Sequence, residues 1–489
     1  METFSIPREI SNITKTLKGA DFEAYLIGGC VRDLYLGKKP RDWDVTTNAK
    51  PEEIIPIFSK TFYENEYGTV GVVNEETEDE TLKIVEITPY RKEGIYTDKR
   101  RPDSVSFNAT IEDDLKRRDF TINAVALDIE KNVVVDPFNG RKDIQNGVIK
   151  TVGEAGDRFS EDGLRILRAV RLYSELGFEI EPETEKALAE NAIHLQKIAK
   201  ERIRDEFIRI IESGNPMKGF LAMQKLSLIE YVLPILQKAV GVEQNKAHAF
   251  DVWTHLLKSL QHSADKNYPL HVRLAALFHD ISKPEVRQKS KETGDWTFYN
   301  HEVVGEKVTR ETLRNLKFSR EMVEKVSRLV RWHMFFSDTE QITHSAVRRL
   351  VANVGKENVW DLMNLRICDR IGTGRPKENP YRLRKYKAMI EEVMSDPVSV
   401  AMLKIDGGRI MELTKLSSGP KIGHILHALF EEVLEKPDLN SEDVLEKRVL
   451  ELAGLPEKEL KRLGQEGKEK QEREKEEKRK SIRKKYWVQ

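Results

Sequence analysis

The feature that most constrains the fold is a change in sequence pattern near Phe138. Before it, short runs rich in β-branched residues, such as "AYLIGG", "WDVTT", "GTVGVV" and "LKIVEIT", alternate with helical segments. After it, segments such as "SEDGLRILRAVRLYSELGF" and "KERIRDEFIRIIES" carry apolar residues at helical spacing, and no strand pattern competes. The chain is therefore predicted to be α+β, with a small α/β head followed by an all-helical remainder.

The 489 residues are too many for one hydrophobic core, and the pattern divides them into four parts. These are a head at 1–140, a helical neck and body at 141–241, a histidine-containing helical domain at 242–376 and a helical tail at 377–489. The tail ends in "KEKQEREKEEKRKSIRKKYWVQ", which is typical of a solvated charged helix. A basic arm that contacts RNA phosphates is the alternative interpretation.

Composition bears on the partners and the cellular compartment of the protein. Lys+Arg and Asp+Glu both number 82, so net charge by itself does not favour a nucleic-acid partner. Two cysteines, Cys30 and Cys368, are too few for a disulfide framework and fit a reducing compartment. The start of the chain lacks an apolar signal segment, and no apolar run reaches membrane-spanning length. We expect a cytoplasmic protein with no membrane partner.

The stretch "LIGGCVRDLYLGKKPRDWDVTT" predicts a metal-dependent phosphoryl-transfer site in the head. Because strand side chains alternate, Asp42 and Asp44 would share one face, and two carboxylates that close together favour Mg²⁺ between them. Two such ions can activate an attacking hydroxyl and neutralise a leaving pyrophosphate. Glu86 in "LKIVEIT" is the candidate third carboxylate, and an exposed strand residue is an equally good interpretation of it.

Nucleotide contacts are expected around the carboxylate pair. Gly28 and Gly29 would let the backbone approach a phosphate, and Arg32 in the first turn of a helix would bind a triphosphate oxygen. In "DDLKRRDFTINAVALD", Arg118 would hold phosphates and Asn123 a ribose hydroxyl, both at the start of a helical stretch. The preceding segment, "RKEGIYTDKRRPDSVSF", has the composition of a mobile loop.

Two residues in "SEDGLRILRAVR" predict selection of the nucleobase. Asp162 and Arg165 are three positions apart, so on a helix they would project from one face. The aspartate can accept from an exocyclic amino group and the arginine can donate to a ring acceptor, a combination that cytosine and adenine both satisfy. Uracil and guanine would place a carbonyl against Asp162, and an unpaired buried polar group costs about 1–3 kcal/mol. We expect CTP and ATP to be accepted.

These segments, with "RRDFTINA", "DPFNGRKD" and "KERIRDEF", resemble in order the five motifs of class II tRNA nucleotidyltransferases, the CCA-adding enzymes and bacterial poly(A) polymerases. The resemblance covers the first half of the chain. It implies that Glu161 supports Arg165 and that Arg168 and Arg171 contact phosphate and nucleotide. It also implies tRNA, CTP and ATP as partners, with the tRNA 3′ oxygen attacking the α-phosphate.

Addition of C, C and A is the expected activity, and A-only, CC-only and poly(A) addition are alternatives within the family. The predicted mobile loop favours addition of A, because partial CC-adding relatives tend to lack it. The segment "NEYGTVGVV" is more similar to the tRNA enzymes than to poly(A) polymerases. A phosphohydrolase acting on RNA ends and a non-catalytic RNA scaffold are the alternatives of other classes. The retained set Asp42, Asp44, Asp162 and Arg165 argues against both.

Histidines recur in apolar helical segments of the third domain, among them His301 and His333. One subset resembles the ligand pattern of the HD superfamily of metal-dependent phosphohydrolases: His255, His279, Asp280 and Asp369. Imidazole combined with carboxylate suits nickel, manganese, zinc or iron. The resemblance implies a second divalent metal, either structural or able to hydrolyse phosphate esters such as 2′,3′-cyclic ends of damaged tRNA. The oligomeric state is left open.

Overall fold

The computed structural model describes residues 4–63, 68–94, 105–245, 249–335, 342–394 and 403–488. Most of the predicted mobile loop, "RKEGIYTDKRRPDSVSF", lies outside these ranges. The chain forms two compact units, one of Met1–His333 with Asn364–Pro376 and one of Met334–Met363 with Lys377–Gln489. Within the described ranges, no helix is both long enough and apolar enough to cross a membrane.

The head is built on one seven-stranded sheet. The strands of the head are β1 (Tyr25–Ile27), β2 (Asp44–Thr47), β3 (Thr61–Tyr63), β4 (Val70–Val73), β5 (Ile84–Pro89), β6 (Lys92–Glu93), β7 (Val105–Ser106), β8 (Ala126–Asp128) and β9 (Val133–Val135). The sheet order is β3-β4-β5-β2-β1-β8-β9, and β6 pairs separately with β7. Strand β2 runs parallel to β5, while the other neighbours in the sheet are antiparallel.

The helices of the first unit follow the predicted pattern. In chain order they are α1 (Arg8–Gly19), α2 (Gly29–Tyr35), α3 (Pro51–Ile54), α4 (Ile111–Lys116), α5 (Gly140–Asn146), α6 (Ala155–Glu161), α7 (Leu164–Leu176), α8 (Pro182–Glu190), α9 (Lys200–Glu212), α10 (Pro216–Lys225), α11 (Ile229–Val232), α12 (Pro234–Gln237), α13 (Val252–Asp265), α14 (Leu270–Phe278), α15 (Lys283–Val286), α16 (His301–Asn315) and α17 (Arg320–Trp332). Two short strand pairs that the sequence did not predict also occur: β10 (Val148–Ile149) with β11 (Glu179–Ile180), and β12 (Gln288–Lys289) with β13 (Trp296–Thr297).

The core of the head lies against one face of the sheet. Helix α1 buries Ile10, Ile13 and Leu17, which recur at helical spacing, against strand residues that include Val45 and Ile87. Successive strand side chains point to opposite faces, so the neighbours of Val45 and Ile87 along the strands face the other way. The polar face of β2 and β5 is therefore available for a site.

The remaining helices are α18 (His344–Val354), α19 (Val359–Gly372), α20 (Tyr381–Met394), α21 (Gly407–Thr414), α22 (Pro420–Glu435), α23 (Glu442–Ala453) and α24 (Glu457–Tyr486). The last turns of α24 contain the basic segment predicted as a charged helix or an RNA-binding arm. Arg483 donates to Glu392 at 2.9 Å, and Lys485 pairs with Glu391 at 2.8 Å. These two cations are therefore held by carboxylates of α20 within the same unit.

Candidate active site and metal centre

The glycine turn of the head is shaped for a close approach. Gly28 has φ 78° and ψ −137°, a backbone conformation that is essentially restricted to glycine, and α2 starts at the next residue. A Cβ added at Gly28 would lie 3.0 Å from Nη1 of Arg118 and 3.3 Å from Oδ2 of Asp44. The absence of a side chain at this position is what lets the turn face a cation and a carboxylate together.

The carboxylate pair follows the predicted alternation, although β2 itself begins only at Asp44. Trp43 is 3% exposed and packs in the core of the head. On either side of it, Asp42 is exposed, Asp44 is half-buried, and both carboxylates line one cavity of about 280 Å³. The buried indole anchors this segment, so the two aspartates face the same space.

This cavity, which we call the head cavity, brings together most of the predicted nucleotide-binding residues. From the predicted set it is lined by Gly28, Gly29, Arg32, Asp42, Asp44, Arg118, Asn123, Arg168 and Arg171. Other lining residues were missed by the sequence analysis: Asp33, Lys38, Lys39, Arg41, Asp119, Glu175, Leu176 and Arg209. A lining rich in cations around a carboxylate pair suits a polyanion that binds together with a divalent metal ion.

A chain of hydrogen bonds and ion pairs fixes the cations of the cavity wall. Arg32 donates from Nη1 to Oδ1 of Asn123 at 2.8 Å, and Asn123 donates to Oδ1 of Asp119 at 3.3 Å. Nε of Arg168 lies 3.0 Å from Oδ2 of Asp119. Burial alone would raise the pKa of Asp119, but the charges of Arg168 and Arg165 and the bond from Asn123 bring that pKa below its ordinary value. The carboxylate is therefore ionised. It pairs directly with Arg168 and orients Arg32 through Asn123.

The expectation that Arg118 and Asn123 stand at the start of a helical stretch is met only by one short turn. Helix α4 ends at Lys116, Thr121–Asn123 form a single 3-10 turn, and the chain then enters β8 of the sheet. Asp114 is fully buried and accepts from Arg117 at 2.6 Å and from Arg118 at 3.3 Å. These bonds orient the two arginines, and the buried pairing of β8 with β1 takes the segment that follows. The predicted residues still reach the cavity.

The expectation that Asp162 and Arg165 share one helix face was also wrong. Helix α6 ends at Glu161, Asp162 has an extended backbone (φ −137°, ψ 106°), and α7 begins at Leu164. The side chain of Asp162 accepts from the backbone N–H of Leu164 at 3.0 Å, a local bond that competes with a continuous helix. Neither residue lines the head cavity as this structure defines it.

Both residues of the predicted base-selecting pair are held by protein groups. Arg165 is 8% exposed and donates to Glu161 at 2.5 Å, as the family resemblance implied, and also to the backbone oxygens of Arg158 and Arg117, each at 3.1 Å. Arg202 donates to Oδ2 of Asp162 at 2.7 Å. These contacts hold the two side chains in defined positions before any base arrives.

Helix α9 supplies partners that the sequence analysis did not assign. Besides Arg202, Glu206 accepts from Nη1 of the buried Arg171 at 2.9 and 3.0 Å. Arg209 donates to Glu175 of α7 at 3.1 Å. The sequence does contain a pattern that indicates these residues. Positions 202, 206 and 209 have helical spacing, which places a cation, an anion and a cation on one helix face.

Glu86 shares a sheet face with Asp44 but is exposed to solvent. It lies directly opposite Asp44 in the parallel pairing of β2 with β5, so the two side chains share a sheet face. The residue is exposed and does not line the head cavity. Its role as a third carboxylate stays a prediction.

The predicted HD ligands come together inside the first unit. Their ligand atoms all lie within 4.8 Å of one another, and each side chain is buried or nearly so: His255, His279, Asp280 and Asp369. The Nε2 atoms of His255 and His279 are 2.8 Å apart, and they lie 3.1 and 3.4 Å from Oδ2 of Asp280. Burial would raise the pKa of Asp280, but Lys283 and His279 hold it well below its ordinary value.

The donor chemistry of this cluster fits a metal ion. Nδ1 of His279 lies 2.9 Å from the backbone oxygen of Ala276, so Nδ1 is the donor there, and in the neutral ring Nε2 offers its lone pair to the cluster. Such an outer hydrogen bond is the usual arrangement that orients a metal-ligating imidazole. The donors, imidazole nitrogen and carboxylate oxygen, suit a transition metal. In the head, Asp42 and Asp44 supply carboxylate oxygens, the ligands that Mg²⁺ prefers, and Gly28 has no side chain to fill the space beside Asp44.

Three protein-family models match successive parts of the chain. A family model described as the poly A polymerase head domain matches residues 24–150. A second, described as the probable RNA and SrmB-binding site of polymerase A, matches residues 177–240. A third, described as the HD domain, matches residues 247–371. The fold and the head cavity thus define a polymerase-type nucleotidyltransferase that carries an HD domain.

Individual relatives show which members of this class the chain is similar to. The CCA-adding enzyme of Leuconostoc mesenteroides is 32% identical over 451 residues, which is 91% of this chain and 98% of that protein. The Geobacillus stearothermophilus CCA-adding enzyme is 45% identical over 210 residues, which is 43% of this chain and 50% of that one. The chain belongs to the family of CCA-adding enzymes.

Solved structures agree in fold. The Bacillus stearothermophilus CCA-adding enzyme in complex with CTP matches with a TM-score of 0.60 and 27% identity, covering 91% of this chain and 98% of that one. The Thermotoga maritima CCA-adding enzyme complexed with tRNA matches with a TM-score of 0.51 and 20% identity, covering 92% and 99%. At that lower identity, the second match bears on the fold alone.

Proposed function

We propose that this chain adds C, C and A to the 3′ end of tRNA, taking CTP and ATP and releasing pyrophosphate without a nucleic-acid template. The observation that carries the proposal is the head cavity, where Asp42 and Asp44 face a wall of fixed cations beside the turn at Gly28. Membership of the CCA-adding family, over nearly the whole length of a curated relative, supports it.

Each group of the cavity has a task in this proposal. Asp42 and Asp44 would hold Mg²⁺, which supplies charge neutralisation for the attacking 3′ oxygen and the leaving pyrophosphate. Arg32 and Arg118 bind triphosphate oxygens, with Arg168 and Arg171 on the opposite helix α7. Because Asn123 and Asp119 already orient two of these guanidinium groups, little reorganisation is needed when the triphosphate arrives.

Base choice is assigned to Asp162 and Arg165. Glu161 and two backbone oxygens hold Arg165, and Arg202 holds Asp162, so each presents a fixed hydrogen-bonding edge. An amino group beside a ring acceptor satisfies an acceptor and a donor, as cytosine and adenine do. In this proposal, the hydrogen-bonding groups of Asp162 and Arg165 take the place of a template base.

The experiment is an end-extension assay. The protein is incubated with tRNA lacking its 3′ end, Mg²⁺ and each labelled triphosphate singly and together, and the product is sized. Three added nucleotides from CTP plus ATP, and none from UTP or GTP, is the expected result. One added A, two added C, a long A tail or no addition would each assign the chain to a different activity.

The catalytic assignment has its own variants. Asp42→Ala and Asp44→Ala are expected to lower incorporation by about a hundredfold or more, because the phosphoryl transfer then lacks its metal ligands. Circular dichroism and thermal melting check that the fold is kept. Normal turnover by either purified variant would overturn the mechanism.

The division into a catalytic head at 1–140, a nucleotide-selecting and RNA-binding neck and body at 141–241, an HD domain at 242–376 and a tail at 377–489 is part of the proposal. So is a cytoplasmic location, which suits a tRNA substrate and the two buried thiols Cys30 and Cys368.

A second candidate function, hydrolysis of phosphate esters at RNA ends, is favoured by the buried cluster around Asp280. Incubation with a 2′,3′-cyclic nucleotide and Mn²⁺ or Ni²⁺ tests it. Product from the unsubstituted protein and none from Asp280→Asn is the expected result. Equal product from both would remove this candidate.

A further inference from the structure

The sheet face that carries Asp44 continues beyond the carboxylates of the head cavity. Asp44 of β2 lies opposite Glu86 of β5. Glu86 lies opposite Gly71 of β4, and Gly71 lies opposite Phe62 of β3, the edge strand of the sheet. Directly opposite residues point to the same face of a sheet, so all four share one face. Because neighbouring strands are about 4.8 Å apart, this row extends about 14 Å from Asp44 to Phe62.

The part of this face on β3, β4 and the start of β5 is apolar and open to solvent. Phe62 is 39% exposed, and Ile84, which lies opposite Val73, is 50% exposed. Gly71 has no side chain, and the ring of Phe62 occupies the place where a Cβ on Gly71 would sit. We call this surface, formed by Phe62, Gly71, Val73 and Ile84, the sheet shelf.

The sheet shelf adjoins the head cavity. Lys39, which lines that cavity, contacts Asp79 of the β4–β5 connection at 2.6 Å. On the other side of Asp44 the same sheet face is covered, because Ile27 of β1 is buried in a cluster with Ile111 of α4. The open direction along this face from Asp44 therefore leads over the sheet shelf.

We propose that the sheet shelf binds the bases of the unpaired nucleotides that precede the 3′-terminal nucleotide of the RNA, with Phe62 stacking on one of them. The inference rests on the proposed function, which brings the attacking 3′ oxygen to Asp42 and Asp44. Every base has an apolar π-face, so stacking on an aromatic side chain tolerates any sequence. Such tolerance suits an RNA end whose bases change at each position as nucleotides are added.

A protein partner is the competing explanation for an exposed apolar surface. Strand β3 lies at the edge of the sheet, where a second copy of this chain can pair with it and cover Phe62. The proximity to Asp44 favours RNA, and the two explanations differ in what a substitution at Phe62 changes.

The test follows the fluorescence of 2-aminopurine, which is quenched by stacking. The full chain is titrated, without triphosphate, into an acceptor-stem RNA hairpin with three unpaired 3′ nucleotides, and 2-aminopurine replaces each of these in turn. Quenching is expected at a position before the terminal one. In Phe62→Ala this quenching should be lost, and the affinity for the hairpin should fall about tenfold. Phe62→Trp should keep both.

Tyr63→Ala is the matched control. Tyr63 is the next residue of β3 and is 53% exposed, but it points to the opposite face of the sheet. This variant should keep the quenching and the affinity. Phe62→Leu separates stacking from packing, because it keeps an apolar side chain over Gly71. It should melt at the temperature of the unsubstituted protein and still lose the quenching.

Three results would overturn the proposal: no quenching at any position, quenching that persists in Phe62→Ala, or an equal loss in Tyr63→Ala. Light scattering that shows a dimer, converted to a monomer by Phe62→Ala with the quenching unchanged, would assign the sheet shelf to a second copy of the chain.

The titration needs no turnover, so its result is separate from that of the end-extension assay. Nucleotide addition together with unchanged quenching in Phe62→Ala would remove the role of the sheet shelf and leave the proposed function standing. Quenching that depends on Phe62, in a protein that adds no nucleotide, would support the sheet shelf while removing the proposed function.

Discussion

At Gly28, backbone conformation and site chemistry are closely coupled. The positive φ favours glycine, and the space where a Cβ would sit lies between Arg118 and Asp44. A single methyl group added here should therefore affect both stability and catalysis.

We expect Gly28→Ala to lower stability by about 1–3 kcal/mol, since alanine is strained at this φ and ψ. It should also reduce CMP incorporation more than tenfold, because the methyl group displaces Arg118 or Asp44. Thermal melting and single-turnover assays measure the two effects. Gly153→Ala is the control, because Gly153 also has positive φ (72°) but nothing lies within 4 Å of its Cβ position. Equal activity losses in both variants would contradict the crowding argument.

We propose that Arg165 helps to select the base of the incoming nucleotide. In Arg165→Ala, discrimination between CTP and UTP should fall by about tenfold, the equivalent of one hydrogen bond worth about 1.4 kcal/mol. Affinity for tRNA should change much less. Incorporation assays with all four triphosphates and a tRNA binding titration separate these effects, and an unchanged C/A preference would refute the template role.

At the scale of elements, the break between α6 and α7 determines where the base-selecting residues point. Asp162 stands between the helices, bonded to Leu164 on one side and to Arg202 of α9 on the other. Gly163 follows, with its Cβ position 3.0 Å from Cβ of His194 and 3.1 Å from the His194 backbone. The turn is packed too tightly for a larger residue, so its geometry is fixed from outside the segment.

Alanine substitutions at the two glycines of this region should have opposite signs. Gly163→Ala should cost about 1–3 kcal/mol through the clash with His194. Gly156→Ala, inside α6 with open space around it, should stabilise by about 0.5–1 kcal/mol. Urea titrations give both values. Gly163→Ala should also weaken base choice, and a more stable Gly163→Ala protein would show that the packing argument is wrong.

At the scale of the whole molecule, the first unit carries two clusters of chemically different side chains. The head cavity offers carboxylates and cations, whereas the second site offers buried imidazoles around Asp280. The two sites share no residue. Each can therefore be removed by substitution without touching the ligands of the other.

We expect Asp280→Asn to leave CMP and AMP addition within about twofold of normal, since additivity holds for distant sites. The same variant should lose transition-metal binding. Asp44→Asn should do the reverse. Extension assays and metal analysis on both proteins test this, and loss of nucleotide addition in Asp280→Asn, with the fold intact, would show that the two sites are coupled.

Side-chain alternation, a property of neighbouring residues, was predicted correctly around Trp43. Trp43 is buried while Asp42 and Asp44 line the cavity, because strand alternation survives a bend. The helical spacing argument failed at Asp162 because a side-chain bond to Leu164 ended the helix. It failed at Arg118 because α4 ends at Lys116 and the segment that follows leads into the buried pairing of β8 with β1. Spacing alone reveals neither of these helix ends.

Residue types and their short-range order were enough to predict the α+β class, the family, the carboxylate pair that lines the head cavity and the four-residue His–Asp cluster of the helical part. Three contacts became visible only in the folded chain: Arg202 holds Asp162, Glu206 holds Arg171, and Asp280 lies between two histidine pairs. These contacts join residues that are far apart in the chain, and only packing of whole helices brings such residues within bonding distance.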